Sequence, residues 1–227
     1  GDQVVDGKTF ISGDKVTGQV SMSLPDKNQL AKPLSKVELV DDYTNFKDKA
    51  DYVSARVYEN DQDVTSEYTI TDANGKVTAV RKDASKTPSG SAKLVVSWQV
   101  HQDVASGTKL INAGSGTING STVKTPDRTI VTYSQETTKN WIEGNTVVNG
   151  KTYIDNDDIT AQVTVKMPDR DNLAEKLANV VIKDDYSNFK DKAKVQSIKV
   201  YENGQDATSQ YDIKNYASTG LVTATRL

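Results

Sequence analysis

The sequence predicts an all-β protein of two tandem sandwich repeats, each with a short inserted helix, and three observations carry this. The first is an internal repeat: Gly1–Thr71 aligns with Gly144–Lys214 at a constant offset of 143 residues, without a gap. Self-similarity at a fixed offset marks an architecture built in units. The second is a series of short alternating apolar segments separated by Gly, Asn, Asp and Pro, the pattern of sandwich strands and their turns. The third is length, since 227 residues suit one large or two ordinary domains. The repeats divide the chain at residues 1–135 and 136–227, and the second copy lacks the last third of the first.

The elements follow in order. VVDGKTFI (Val4–Ile11) and its copy VVNGKTYI (Val147–Ile154) read as a strand with an Asp-Gly or Asn-Gly turn at its centre. Gln19–Leu24 puts Val20, Met22 and Leu24 on one face and is stopped by Pro25. In Asp26–Ser35 the leucines at 30 and 34, copied at 173 and 177, have the i, i+4 spacing of a short helix. Pro33 keeps that helix short. Lys36–Phe46, KVELVDDYTNF, returns as NVVIKDDYSNF at Asn179–Phe189 and reads as a strand. Tyr52–Glu59 is a further strand, with turn residues at Asn60–Asp63. Glu67–Thr71 and Lys76–Arg81 flank an Asp-Ala-Asn-Gly turn as a hairpin. Lys93–His101 is the most apolar strand. Thr108–Ala113 is another, and Gly114–Ser121 reads as a Gly/Ser turn region before a last strand at Arg128–Ser134. A polar seam, Ser134–Glu143, joins the copies.

The KVELVDDY stretch holds the candidate chemistry. Alternate side chains of a strand share a face, so Val37, Leu39, Asp41 and Tyr43 point one way, as do Val180, Ile182, Asp184 and Tyr186. An aspartate in line with core residues is costly unless paired or neutral. Two roles stay open on the residues alone: an acceptor of backbone hydrogen bonds at a strand end, or a reactive group inside the core. The neighbouring Asp42 and Asp185 fall on the opposite face.

Composition narrows the classes. A formal charge of −3 provides no basic field for nucleic acid. There is no cysteine and a single histidine, His101, which removes disulfides, thiolate metal sites and His-rich sites. The acidic turns at Asp155–Asp158 and Asp72–Asn74 lack the spacing of a calcium loop, so no metal and no cofactor is expected. No segment has the length to cross a membrane. The abrupt start at Gly1 reads as an excision from a longer, secreted parent. A glycosidase needs two carboxylates in one cleft, whereas Asp41 and Asp184 belong to different repeats.

Taken together, TKNWIEGNTVVNGKTYI at the seam, VDDYTNF and KDDYSNF, and LINAGSGTI at Leu110–Ile118 resemble the isopeptide-forming stalk repeats of Gram-positive wall-anchored adhesins, of the antigen I/II and enterococcal aggregation substance type. The resemblance implies a variant immunoglobulin-like sandwich. It also implies an amide bond between a lysine on the first strand and an asparagine on the last, promoted by an aspartate. Carried over, the lysine falls on Lys139, the aspartates on Asp41 and Asp184, and the asparagine on Asn112. No complete triad then lies within one repeat: the first copy's lysine would precede Gly1 and the second copy's asparagine would follow Leu227. Lys8 and Lys151, present in both copies, are rival amines. Asn112 also suits a turn, and Lys139 beside Trp141 also suits a cation–π contact.

The implied chemistry is single-turnover self-modification rather than enzymatic catalysis. A buried lysine is a free amine and a buried aspartate is protonated. A neutral Asp41 would donate to the Asn112 side-chain carbonyl and stabilise the oxyanion. The implied setting is the wall-anchored, extracellular surface of a Gram-positive bacterium, where a stalk presents a binding head for adhesion or aggregation. The implied partners are other domains of the same adhesin and, through loops, host or bacterial surface proteins. Neither nucleic acid nor membrane contact is expected.

Overall fold

The computed structural model describes residues 3–227, folded as two compact units. One runs to Ser134 and includes Asp171–Ala174; the other comprises Gln135–Arg170 and Glu175–Leu227. The strands of the first unit are β1 (Thr9–Ile11), β2 (Lys15–Leu24), β3 (Val37–Asp42), β4 (Ala50–Glu59), β5 (Gln62–Asp63), β6 (Tyr68–Ala73), β7 (Lys76–Arg81), β8 (Gly90–Val100), β9 (Lys109–Ile118), β10 (Ser121–Lys124) and β11 (Arg128–Tyr133).

These strands form a two-sheet, immunoglobulin-like sandwich. One sheet has the order β1-β11-β9-β3-β7-β6, with β10 also on β9, and the other has the order β2-β8-β4-β5. Every pair is antiparallel except β1 with β11. The core lies between the sheets. Val37, Leu39, Val77 and Ala79 face Val57, Leu94, Val96 and Trp98, all of them buried. The Trp98 ring stands 5.4 Å from that of Tyr43 and 5.2 Å from that of Phe46, within the range of favourable aromatic pairs. Tight turns follow sequence chemistry. Asn74 and Gly75 between β6 and β7, and Asn60 and Asp61 between β4 and β5, all have positive φ, as a two-residue hairpin loop of this type demands.

Three expectations change in detail. The inserted helix is a single three-residue 3-10 turn, Lys27–Gln29, with the Asp26 side chain accepting from the Asn28 N–H; its copy is Arg170–Asn172. Leu34 is buried in the core and Leu30 packs against it, so the i, i+4 spacing served an irregular segment docked on the sandwich. The strand expected over Val4–Ile11 pairs only from Thr9. Finally, Gly114–Ile118 is not a turn but the second half of β9.

In the second unit the strands are β12 (Thr137–Glu143), β13 (Thr146–Val147), β14 (Thr160–Val165), β15 (Val181–Asp185), β16 (Tyr201–Glu202), β17 (Gln205–Asp206), β18 (Tyr211–Tyr216) and β19 (Leu221–Arg226). They make the sheets β13-β12-β14, β15-β19-β18 and β16-β17. By the repeat offset β14 corresponds to β2, β15 to β3, and β18 and β19 to β6 and β7. The seam segment is thus not a linker throughout, since Thr137–Glu143 is a strand paired along β14. Among the described residues this unit has no counterpart of β8, β9 or β11.

Candidate functional site

Asp41 lies on β3 directly opposite Gly114 of β9 and is fully buried. The glycines of LINAGSGTI explain how. Asn112, Gly114 and Gly116 share one face of β9. A Cβ at Gly114 would lie 2.5 Å from Val20 Cγ2, and one at Gly116 would lie 2.5 Å from Met22 Sδ. The two sheets therefore meet at backbone distance here, side chains of β2 resting on bare β9, and any larger residue would push them apart. The same bareness lets the Asn112 side chain reach across to β3. Its Nδ2 donates to Asp41 Oδ1 at 2.5 Å and to the Asp42 carbonyl at 3.1 Å. Its Oδ1 faces Gly18, where an added Cβ would approach it to 2.8 Å.

Asp41 Oδ2 is buried with no hydrogen-bond partner among the described residues, an arrangement that is expensive for a carboxylate. Burial pushes the Asp41 carboxyl up to about 7, against the opposing hydrogen bond from Asn112 and with a smaller push from Asp42. A proton on the orphaned oxygen is the ordinary answer to such a site.

The other two sequence-derived residues meet in the second unit. Lys139 of β12 donates from Nζ to Asp184 Oδ1 at 2.8 Å and to the Asp185 carbonyl at 3.4 Å. The structure brings Asp41 together with Asn112, and Asp184 together with Lys139. The rival amines Lys8 and Lys151 lie exposed in turns. Three details differ from the implied site. Asn112 stands on β9, with β10 and β11 following, rather than on the last strand. Its amide nitrogen, not its carbonyl, faces Asp41, because the Asp42 carbonyl beside it also needs a donor. Lys139 and Asp184 are not sealed, with side chains 42% and 26% exposed.

Sequence reasoning missed a second buried polar cluster. The Arg81 guanidinium donates from Nε and Nη2 to the two Glu59 oxygens at 2.9 and 3.0 Å, and Tyr68 Oη donates to Glu59 Oε2 at 2.9 Å. The signal was available, because all three residues recur as Glu202, Tyr211 and Arg226 with the same bonds. Tyr43 Oη likewise donates to Asp72, and Tyr186 Oη to Asn215 at the matching position.

The first unit is thus a two-sheet sandwich in which a buried carboxylate on β3 is bonded to an asparagine on the neighbouring strand β9. The chain belongs to the cell surface antigen I/II C2 terminal domain family, which matches residues 1–130. Among solved structures it is similar to the C-terminal domain of the Streptococcus agalactiae AgI/II polypeptide BspA, at TM-score 0.67 and 12% identity over 99% of this chain and 80% of that one. It is also similar to BcpA, the major pilin subunit of Bacillus cereus, at TM-score 0.51 and 13% identity over 98% of this chain and 53% of that one. The C-terminal domain of the Streptococcus pyogenes antigen I/II-family protein AspA aligns at TM-score 0.48 and 17% identity over 57% of this chain; this chain spans 42% of its length. No curated protein matches in sequence.

Proposed function

We propose that this chain is a stalk segment of a Gram-positive, wall-anchored adhesin, in which each complete repeat is locked by a lysine–asparagine amide and holds a binding head away from the wall. One observation carries the reading. Asn112 Nδ2 in the first unit and Lys139 Nζ in the second bond to corresponding acceptors: Oδ1 of the repeated aspartate and the carbonyl of the residue after it. In amide formation these two nitrogens exchange places. The neutral lysine amine attacks the asparagine Cγ, the asparagine nitrogen takes a proton and leaves as ammonia, and the lysine nitrogen remains as the amide N–H. One cradle on the aspartate therefore serves both the departing nitrogen and the arriving one.

The geometry supports a revised part for Asp41. Hydrogen-bonded to Nδ2, it is placed to relay a proton from the attacking amine to the leaving nitrogen, rather than to polarise the carbonyl. Packing in the core supplies the proximity. By analogy with a disulfide closing a loop of about a hundred residues, the bond would stabilise by roughly 4–5 kcal/mol.

The test is a chimera in which residues 134–143 are placed directly before Gly1, which restores the spacing of Lys139 to Gly144. Its denatured mass is expected to fall short of the calculated mass by one ammonia, with no shortfall in the Asp41→Ala or Asn112→Ala chimera. A folded chimera of full mass would overturn the reading.

A further inference from the structure

Asp41 and Asn112 meet where β9 changes neighbours. On its β3 side the pairing ends with Asp42 opposite Ala113. On its other side β11 pairs over Lys109–Asn112. Backbone N–H groups facing one neighbour recur every second residue of an antiparallel strand, so the next one turned toward β3, beyond that of Ala113, is that of Ile111. By then β3 has ended, because the chain leaves the sheet at Tyr43 and enters the 3-10 turn Thr44–Phe46. Asn45 of that turn supplies the acceptor. The Ile111 N–H donates to Asn45 Oδ1 at 2.9 Å, across 66 residues of sequence. A side chain thus adds one rung to the ladder past the end of β3, beside the residue whose amide is bonded to Asp41. The turn that delivers Asn45 is set by its own residues. Asp42 Oδ1 accepts from the Thr44 N–H at 3.0 Å and from Thr44 Oγ1 at 2.6 Å, the short-range bonding by which aspartate shapes a turn. Phe46 is buried, its ring 5.6 Å from that of Tyr43 and 5.2 Å from that of Trp98, which anchors the turn to the core. The copy DDYSNF makes the same turn, with the Ser187 N–H on Asp185 Oδ1 at 2.9 Å.

We propose that Asn45 is a positioning residue for the amide chemistry: by holding the Ile111 N–H it fixes the β9 backbone one residue before Asn112, and so the direction in which the Asn112 side chain leaves β9 for Asp41. The inference rests on the reading of Asn112 as the amide-forming residue. Asn45 touches none of the reacting atoms and acts through the backbone alone. Both bonds of Asn112 Nδ2 go to the β3 side, to Asp41 Oδ1 and the Asp42 carbonyl, whereas the Asn112 backbone is paired with Arg128 of β11. Without the rung at Ile111, β9 is free to lean toward β11 at this point, which draws the amide away from both acceptors. A misplacement of about 1 Å at a reacting group can cost on the order of a hundredfold in rate. The conserved order of the stretch DDYTNF then has a physical content: Asp41 receives the amide, Asp42 shapes the turn, Tyr43 and Phe46 pin it, and Asn45 holds the strand that carries the amide.

The first test uses the full chain as it stands. Asn45 is exposed, so Asn45→Ala is expected to fold, to exchange the Ile111 amide hydrogen faster and to shift the Asn112 side-chain NH₂ resonances. Asn45→Asp keeps an acceptor at the same place and is expected to restore both. The second test uses the chimera described above, purified unfolded in urea and refolded by dilution, with its mass followed in time. Asn45→Ala is expected to lose ammonia about ten- to a hundredfold more slowly than the parent chimera, and Asn45→Asp at close to the parent rate. A folded Asn45→Ala chimera that reacts at the parent rate would overturn the inference. So would Asn112 resonances that stay in place in Asn45→Ala, or an Asn45→Asp variant that restores nothing, since the acceptor atom would then not be what matters. A folded parent chimera of full mass would overturn the amide reading alone, and the Asn112 resonances of the full chain would then support or overturn the positioning by themselves.

Discussion

The two repeats run related sequences to different ends, and the clearest case is β4. In the first unit Ala50–Glu59 is a ten-residue strand; in the second, the matching residues 193–202 are strand only at Tyr201–Glu202. The residues that lose strand, AKVQSIKV at 193–200 against ADYVSARV at 50–57, hold three β-branched or aromatic residues in each copy, so propensity does not distinguish them. What differs is the partner. β4 is paired along its length by β8, and the second unit has no counterpart of β8 among the described residues. A strand is a relation between segments, and its apparent propensity is mostly packing against neighbours. The short hairpin after it, whose hydrogen bonds are local, forms in both units.

The Glu–Arg–Tyr cluster sharpens this comparison most. Its bonds are the same in both units, but the Arg81 and Glu59 side chains are 6% and 3% exposed against 36% and 38% for Arg226 and Glu202. Removing one member of a buried pair strands the other charge and costs about 3–5 kcal/mol, whereas an exposed pair is worth about 0–1 kcal/mol. Glu59→Ala is therefore expected to lower the urea midpoint of the first unit severely, and Glu202→Ala to leave that of the second almost unmoved, read unit by unit through hydrogen exchange. Equal effects would mean that burial is not what separates the repeats.

The same contrast explains what could be read from sequence. Periodicity alone put Val37, Leu39 and Asp41 on one buried face, and the strand shows that alternation. The repeat revealed the units, and Asn-Gly revealed the β6–β7 turn. The second half of β9 was misread because its glycines look like a turn; they are bare so that Val20 and Met22 can rest on the strand, a long-range fact no local window contains. Leu30 and Leu34 misled in the reverse direction, since i, i+4 spacing cannot distinguish a helix from a docked loop. At the site, which atom of Asn112 faces Asp41 depends on the neighbouring Asp42 carbonyl, and backbone acceptors have no sequence signature.

A second prediction concerns pH. The Asp41 carboxyl, raised from an ordinary 3.8 to about 7 by burial, holds its proton in the folded state where the unfolded chain has lost it. The folded state then binds more protons between those values, so this group's contribution is fully present below about pH 4 and lost as pH rises through about 7. At 1.36 kcal/mol per unit the swing is on the order of 4 kcal/mol. The urea midpoint of the first unit should fall between pH 4.5 and 7.5 more steeply in wild type than in Asp41→Asn, which cannot titrate. Parallel slopes for the two proteins would mean that Asp41 is ionised in the folded chain.

The smallest effect probes one methyl group. Position 18 is glycine in the first repeat, while its counterpart 161 is alanine. The structure supplies the reason: a Cβ at Gly18 would lie 2.8 Å from Asn112 Oδ1 and 3.1 Å from Trp98 Cζ3, and among the described residues the second unit holds no counterpart of Asn112 or Trp98. Gly18→Ala should cost about 1–3 kcal/mol through overpacking, and the atom with most freedom to yield is the asparagine amide. That displacement would show as shifted Asn112 side-chain NH₂ resonances, and in the chimera as slower loss of ammonia. Ala161→Gly should cost no more than about 1 kcal/mol, chiefly through backbone entropy. If Gly18→Ala is as mild as its reciprocal and leaves the Asn112 signals in place, the close approach of β2 to the site is not what positions the asparagine, and the comparison between the repeats loses its tightest structural link.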